Sequence, residues 1–84
     1  MIYVEHRLSP WEWRGGEITL PKNVIEKLLD KRYNTYIGTQ LYPDRKITKK
    51  GRIYLGSHAL QVFQVGDNLS IEIEENEIKV WKKS

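Results

Sequence analysis

The sequence predicts a mainly β chain with two short helices, about seven strands arranged as two half-repeats around one barrel-like core. Three observations predict it. Short runs alternate apolar and polar residues along most of the chain, the pattern of half-buried strands. Two further stretches, after Pro21 and Ser57, carry apolar residues at helical spacing. Finally, Gly16-Glu-Ile-Thr-Leu20 returns as Gly51-Arg-Ile-Tyr-Leu55, a constant offset of 35 residues (16 to 51, 18 to 53, 20 to 55).

Taken in order, Ile2, Val4 and Leu8 share one parity against Tyr3, Glu5 and Arg7, an opening strand that Ser9-Pro10 ends. Residues 11–16, Trp-Glu-Trp-Arg-Gly-Gly, read as a shaped loop into a strand over residues 17–20, with Ile18 and Leu20 inward. Pro21 suits the first turn of a helix, where a fixed φ and a missing N–H do no harm. Val24, Ile25, Leu28 and Leu29 then form one apolar stripe, with Lys22, Glu26, Lys27 and Asp30 in water, and this helix lies across the core as a lid.

Residues 33–41, β-branched and aromatic, predict a strand that Tyr42-Pro43-Asp44 turns. A strand or arm around residues 46–48 leads to Gly51, Ile53 and Leu55 point inward, and Ser57 is the N-cap of a short helix to about Val62. Gly66-Asp67 turns the chain into the clearest strand, Leu69, Ile71 and Ile73 alternating with Ser70, Glu72 and Glu74. Glu75-Asn76 completes a hairpin in which Ile78 and Val80 face the core and Glu77, Lys79 and Trp81 face away.

Eighty-four residues suffice for a single domain, spanning 1–84, and 39% apolar against 30% charged residues favours folding over disorder. There is no cysteine, so disulfides and thiolate chemistry are excluded, consistent with the cytoplasm as the expected location. No apolar run reaches the roughly 20 residues of a membrane helix, and the N-terminus lacks the order of a signal peptide. No membrane partner is expected.

The net charge of +3, from 14 Lys and Arg against 11 Asp and Glu, matters less than its distribution. Residues 45–52, Arg-Lys-Ile-Thr-Lys-Lys-Gly-Arg, carry five cations and no acid, while Glu72, Glu74, Glu75 and Glu77 cluster near the C-terminus. One face is therefore expected to turn toward phosphate and another away from it. In the basic segment, Lys and Arg neutralise phosphates, or Arg45 or Arg52 forks onto guanine O6 and N7.

Strand, Leu-Pro-Lys, amphipathic helix, then Gly-x-Ile-x-Leu, short helix, Val-Gly-Asp-x-Leu-x-Ile and a hairpin resembles the DNA-binding pseudobarrel domains. Residues 51–82 look like the swapped-hairpin transcription factors of the AbrB type. Residues 17–82 look more like the plant-type B-three domain and the related effector domains of restriction endonucleases, in which one chain supplies both halves. The resemblance implies a pseudobarrel completed within one chain, and two arms in the DNA major groove. The first arm falls on residues 11–16, including Trp13 and Arg14. The second falls on Arg45, Lys46, Thr48, Lys49, Lys50 and Arg52, although the chain is short between its halves and its arms are correspondingly so.

Trp11 and Trp13 either flank a base or plug one end of a small core, and plugging is preferred because aromatic side chains dominate small cores. Trp81 offers a packing role or a partner surface. His6 and His58 have no second ligand at metal-binding spacing, and no phosphate loop, nucleophile elbow or nucleophile–base set occurs. No enzyme activity, metal, cofactor or small-molecule substrate is expected. The leading expectation is double-stranded DNA binding in transcription regulation or DNA targeting. The alternatives are a protein interaction module, as a homodimer or with another protein, and a single-stranded nucleic-acid binder.

Overall fold

A computed structural model describes residues 1–28 and 31–83. Its elements run β1 (Ile2–Arg7), α1 (Pro10–Gly15), β2 (Glu17–Thr19), α2 (Lys22–Leu28), β3 (Arg32–Ile37), β4 (Gln40–Lys46), β5 (Arg52–Tyr54), β6 (Asn68–Ile73) and β7 (Glu77–Lys82). Leu29 and Asp30, assigned to the helix from sequence, and Ser84 lie outside the described residues. Among the described residues the protein is mainly β, with seven strands and two short helices. Five strands form a sheet in the order β1-β6-β7-β3-β4, and β2 and β5 form a separate two-stranded ribbon.

The barrel does not close. Ile47 bridges to Ile53, so the end of β4 runs on toward the ribbon, but β1 and β2 do not pair. Helix α1 spans that gap. The inner face of the sheet, with Val4, Leu69, Ile71, Ile73, Ile78, Val80, Tyr33 and Ile37, meets Ile18, Leu20, Ile53 and Leu55 of the ribbon strands and their ends in one buried cluster. Val24, Ile25 and Leu28 of α2 close the same cluster as the expected lid.

The half-repeats are partners. Ile18 sits directly opposite Ile53, the Leu20 N–H donates to the Gly51 carbonyl at 2.8 Å, and the Leu55 N–H donates to the Gly16 carbonyl at 2.8 Å. Each copy thus gives its third position to the first position of the other, a local twofold between the two isoleucines. Both glycines are required there. Gly16 (φ 67°) is the left-handed C-cap of α1, and a Cβ on it would come 1.5 Å from the Gly56 carbonyl oxygen; one on Gly51 (φ 80°) would come 2.2 Å from Ile25 Cδ1.

Four local readings are corrected. Residues 11–16 form α1 rather than a loop, because Ser9 and Glu12 make a reciprocal capping box and Pro10 occupies the first turn. The turn after β3 is at Gly38-Thr39, where Gly38 (φ 61°) supplies the positive φ of a type II′-like hairpin. Pro43-Asp44 lies inside β4 instead, at a register shift, with Asp44 at φ 56° and its N–H held by Asn34 Oδ1 at 3.2 Å. Edge strands tolerate such proline bulges. Residues 57–62 form successive turns closed by i to i+3 bonds, not a helix, since Ala59 N–H reaches Gly56 O and Phe63 N–H reaches Leu60 O, both at 3.0 Å.

The gap between β1 and β2 is joined by one side chain. Glu12 is 5% exposed. Its Oε2 accepts from the Thr19 N–H at 2.9 Å and lies 2.6 Å from His6 Nε2, while Oε1 accepts from the Ser9 N–H at 3.0 Å. Burial alone would raise the Glu12 pKa, but His6 and the Thr19 and Ser9 donors outweigh it and hold the group at about 2, below the ordinary 4.5.

Three outcomes follow from this fold. Gly16→Ala and Gly51→Ala should each cost about 3 kcal/mol or more, read as a lowered urea midpoint; a wild-type midpoint for either would contradict the close approach. Because Glu12 is depressed in the folded state, its contribution is complete above pH 4.5 and is lost as pH falls toward about 2. Glu12→Gln should therefore cost about 2–4 kcal/mol at pH 7 and show a smaller loss of stability between pH 5 and pH 2 than the wild type, measured by urea unfolding at each pH. Thr35 is fully buried and its Oγ1 finds no partner among the described residues, so Thr35→Val should raise stability by about 1 kcal/mol in thermal melts.

Candidate nucleic-acid interface

The basic segment folds as the tip of a β-hairpin. Ile47 pairs with Ile53, the Thr48 N–H donates to Arg52 O at 3.0 Å, and the Gly51 N–H donates to Thr48 O at 2.8 Å. With Gly51 at positive φ, this is a tight turn with a glycine bulge. Thr48 Oγ1 accepts the Arg52 N–H at 3.1 Å, so the threonine braces the turn. Lys49 and Lys50 stand exposed at its apex, and Lys46 is exposed just before it. Arg52 is half-buried on the outer face of the ribbon, where Tyr54 and then the Glu17 carboxylate favour its charged form.

Arg45 differs from its neighbours. It lies opposite the buried Tyr33, half-buried, with its Nε out of water and unpartnered among the described residues. Its guanidinium stem therefore belongs partly to the interior. The other four cations of the segment, Lys46, Lys49, Lys50 and Arg52, form no ion pair among the described residues. The pairs that do form involve Arg32 with Asp44, Lys79 with Glu77, Lys82 with Asp67 and Lys83 with Glu5.

The first expected arm is at the other end of the ribbon. Because β2 and β5 are antiparallel, Gly16 lies by Leu55 while Leu20 lies by Gly51, so Arg14 and the hairpin tip flank opposite ends of one short strand pair. From residue 16 to residue 20 the ribbon rises about 13 Å, close to the roughly 12 Å width of a DNA major groove. Trp13 is committed to the fold, its Nε1 donating to the Phe63 carbonyl at 2.8 Å against the core. Trp11 is 75% exposed, and the Arg14 guanidinium lies 5.5 Å from the centre of its ring. Plugging holds for Trp13 and fails for Trp11, because a helix sends residues two apart to different sides where a strand would align them.

Residues not singled out by sequence join the tip. Leu20 bonds to Gly51, so the exposed Lys22 at the start of α2 stands beside the hairpin, and Tyr54, 50% exposed, shares the outer ribbon face with Arg52. The exact 35-residue repeat was the available signal, since antiparallel pairing of its copies brings residue 20 to residue 51. Among the described residues no three His, Cys, Asp or Glu side chains group to hold a metal, and no helix is long and apolar enough to cross a membrane.

The separation of charge is less than expected. The Asn34 N–H of β3 donates to the Asn76 carbonyl at 3.0 Å and Asn34 pairs with Glu77, while the same strand pairs Tyr33 with Arg45 and Arg32 with Lys46. The acidic turn before β7 thus lies at the same end of the sheet as the start of the basic hairpin, two strands or about 10 Å away. Compared with protein-family models, curated proteins and solved structures, the chain matches none.

Proposed function

We propose that this chain is a non-enzymatic module that binds double-stranded DNA, as a small transcriptional regulator or a DNA-targeting unit, gripping the groove through its basic hairpin and ribbon. The observation that carries the reading is the tip itself. Lys49 and Lys50 are exposed on a turn held by three backbone and side-chain bonds, with Lys46 and Arg52 alongside and no acid paired to any of them among the described residues. Exposed, unpaired cations on an ordered turn suit phosphate contact, because the backbone that presents them needs no further ordering.

The ribbon adds to it. Its two ends, about one major-groove width apart, carry Arg14 and the lysine tip, which suits contacts to the backbones on either side of a groove. Between them Arg52 is available for a base edge, and a guanine is the base its fork fits. The resemblance of the half-repeats to DNA-binding pseudobarrels points the same way.

Binding of a duplex should weaken with salt at a slope of about −0.9 per phosphate contact, so roughly −4 if Arg14, Lys46, Lys49 and Lys50 all engage. Lys49→Glu with Lys50→Glu should reduce the slope to roughly −2 and weaken binding uniformly across sequences, read by fluorescence anisotropy from low to physiological salt. Unchanged affinity and slope in that double variant would eliminate the proposal.

A further inference from the structure

The outer face of the five-stranded sheet carries a second feature. Register places Tyr3 beside Glu72, Glu72 beside Lys79, Lys79 beside Tyr36, and Tyr36 beside Leu41, so one row of outward side chains crosses all five strands. Trp81 sits one step along, opposite Ser70, whose hydroxyl lies 3.0 Å from the Tyr3 hydroxyl. The face thus carries Tyr3, Trp81, Tyr36 and Leu41 interleaved with Glu72 and Lys79, with Tyr3 49%, Leu41 40% and Trp81 38% exposed. Isolated exposed apolar groups are ordinary, but several aromatic and charged side chains together on one sheet face suit a contact surface.

Within it lies an open groove of about 440 Å³, lined by Tyr36, Gly38, Glu77, Lys79, Val80 and Trp81. Gly38, in the β3–β4 turn, borders it and leaves it open, since a Cβ there would meet nothing within 4 Å. Two aromatic residues flank that space and a carboxylate stands at its end. Lys79 and Glu77 touch only at 4.0 Å and both are half-exposed, a pair that exchanges readily for an incoming charge. Glu72, Glu74 and Glu75 lie toward the Glu77 end of the groove; Lys79 lines it, and Arg32 and Lys46 lie on the same face beyond Asn34, with Arg32 paired to Asp44.

We propose that this groove docks a cationic peptide segment of a partner protein, an Arg or Lys side chain lying over Gly38 between Tyr36 and Trp81 with its charge toward Glu77. Aromatic faces attract guanidinium and ammonium groups, and the carboxylate completes the complement. Charge selects among occupants. A polyphosphate strand meets carboxylates here, whereas a cationic segment meets them as counter-charges. The site is independent of the basic hairpin.

The test uses the full chain, labelled with nitrogen-15, titrated with the acetylated and amidated peptide Gly-Leu-Arg-Lys-Leu-Gly. Shifts should centre on the amides of Gly38, Lys79 and Trp81 and on the Trp81 indole. Glu77→Lys and Trp81→Ala should each weaken binding about five- to tenfold, and Lys49→Glu with Lys50→Glu should leave it unchanged. If Trp81→Ala disturbs the amide spectrum as a whole, the exposed Glu77→Lys variant carries the comparison alone. Equal binding of the peptide with glutamine at both cationic positions would overturn the proposal, as would shifts confined to Glu74 and Glu75 or no shift at millimolar peptide. Stronger shifts at the groove with an oligothymidylate strand would reassign it to nucleic acid, and self-association abolished by Glu77→Lys would reassign it to a second copy.

Discussion

The arrangement of this molecule depends on how one carboxylate completes an edge that no strand completes. Strand β2 gives its inner hydrogen bonds to β5, so alternate N–H groups point away, and the Thr19 N–H would face the open seam without a partner. Glu12 accepts it, and the same oxygen holds His6 of β1. Three elements meet at one buried group: the sheet through His6, the ribbon through Thr19, and α1 through the Ser9 cap. A neutral side chain of the same shape would keep the contacts and lose the charge-assisted bonds, whose strength comes from the low dielectric around them. The depressed pKa of Glu12 is that strength expressed as proton affinity.

The same end of the ribbon is shaped by geometry as well as by charge, since Thr19 pairs with Arg52 beside Gly51. Gly51, at positive φ, lies so close to Ile25 that a Cβ would displace the isoleucine side chain, so the hairpin tip packs directly on α2. The clasp and this close approach act at one end of a strand pair only three residues long, and the close approach of Gly16 to Gly56 acts at the other. A ribbon this short is marginal alone, and its stiffness is borrowed from the core cluster to which Ile18 and Ile53 contribute. The backbone beneath the exposed lysines is thereby held in place.

Much of the fold was legible because burial writes itself into parity. Ile71, Ile73, Ile78 and Val80 are buried and Trp81 is exposed as alternation requires, and the Gly16 and Gly51 copies proved to be the two strands of one ribbon. What escaped was decided by competing local signals or by distance. Tyr42-Pro43-Asp44 spells a turn more loudly than Gly38-Thr39, yet an edge strand absorbs proline and a left-handed aspartate as a bulge. Ser9-x-x-Glu12 spells a capping box, but two glycines and two tryptophans drew the reading toward a loop. The parallel pairing of β3 with β7 joins residues some forty apart and has no local signature.

The candidate site was legible in part for the same reason. A run of five cations is visible in one dimension, and it folded into one hairpin, but the sequence does not say which cations the fold consumes. Arg45 turns inward because the bulge at Asp44 shifts the parity of β4, and Thr48 spends its hydroxyl on the turn. The acidic turn was equally visible, and its nearness to the basic hairpin was not, because β3 brings the two together. That nearness has a physical use. Carboxylates about 10 Å from the hairpin, one Debye length at ordinary salt, repel phosphate from the sheet end without neutralising the tip. On the proposed reading, a nucleic-acid backbone is steered along the ribbon from Lys50 toward Arg14, and the aromatic face of the sheet stays free for a partner of the opposite charge.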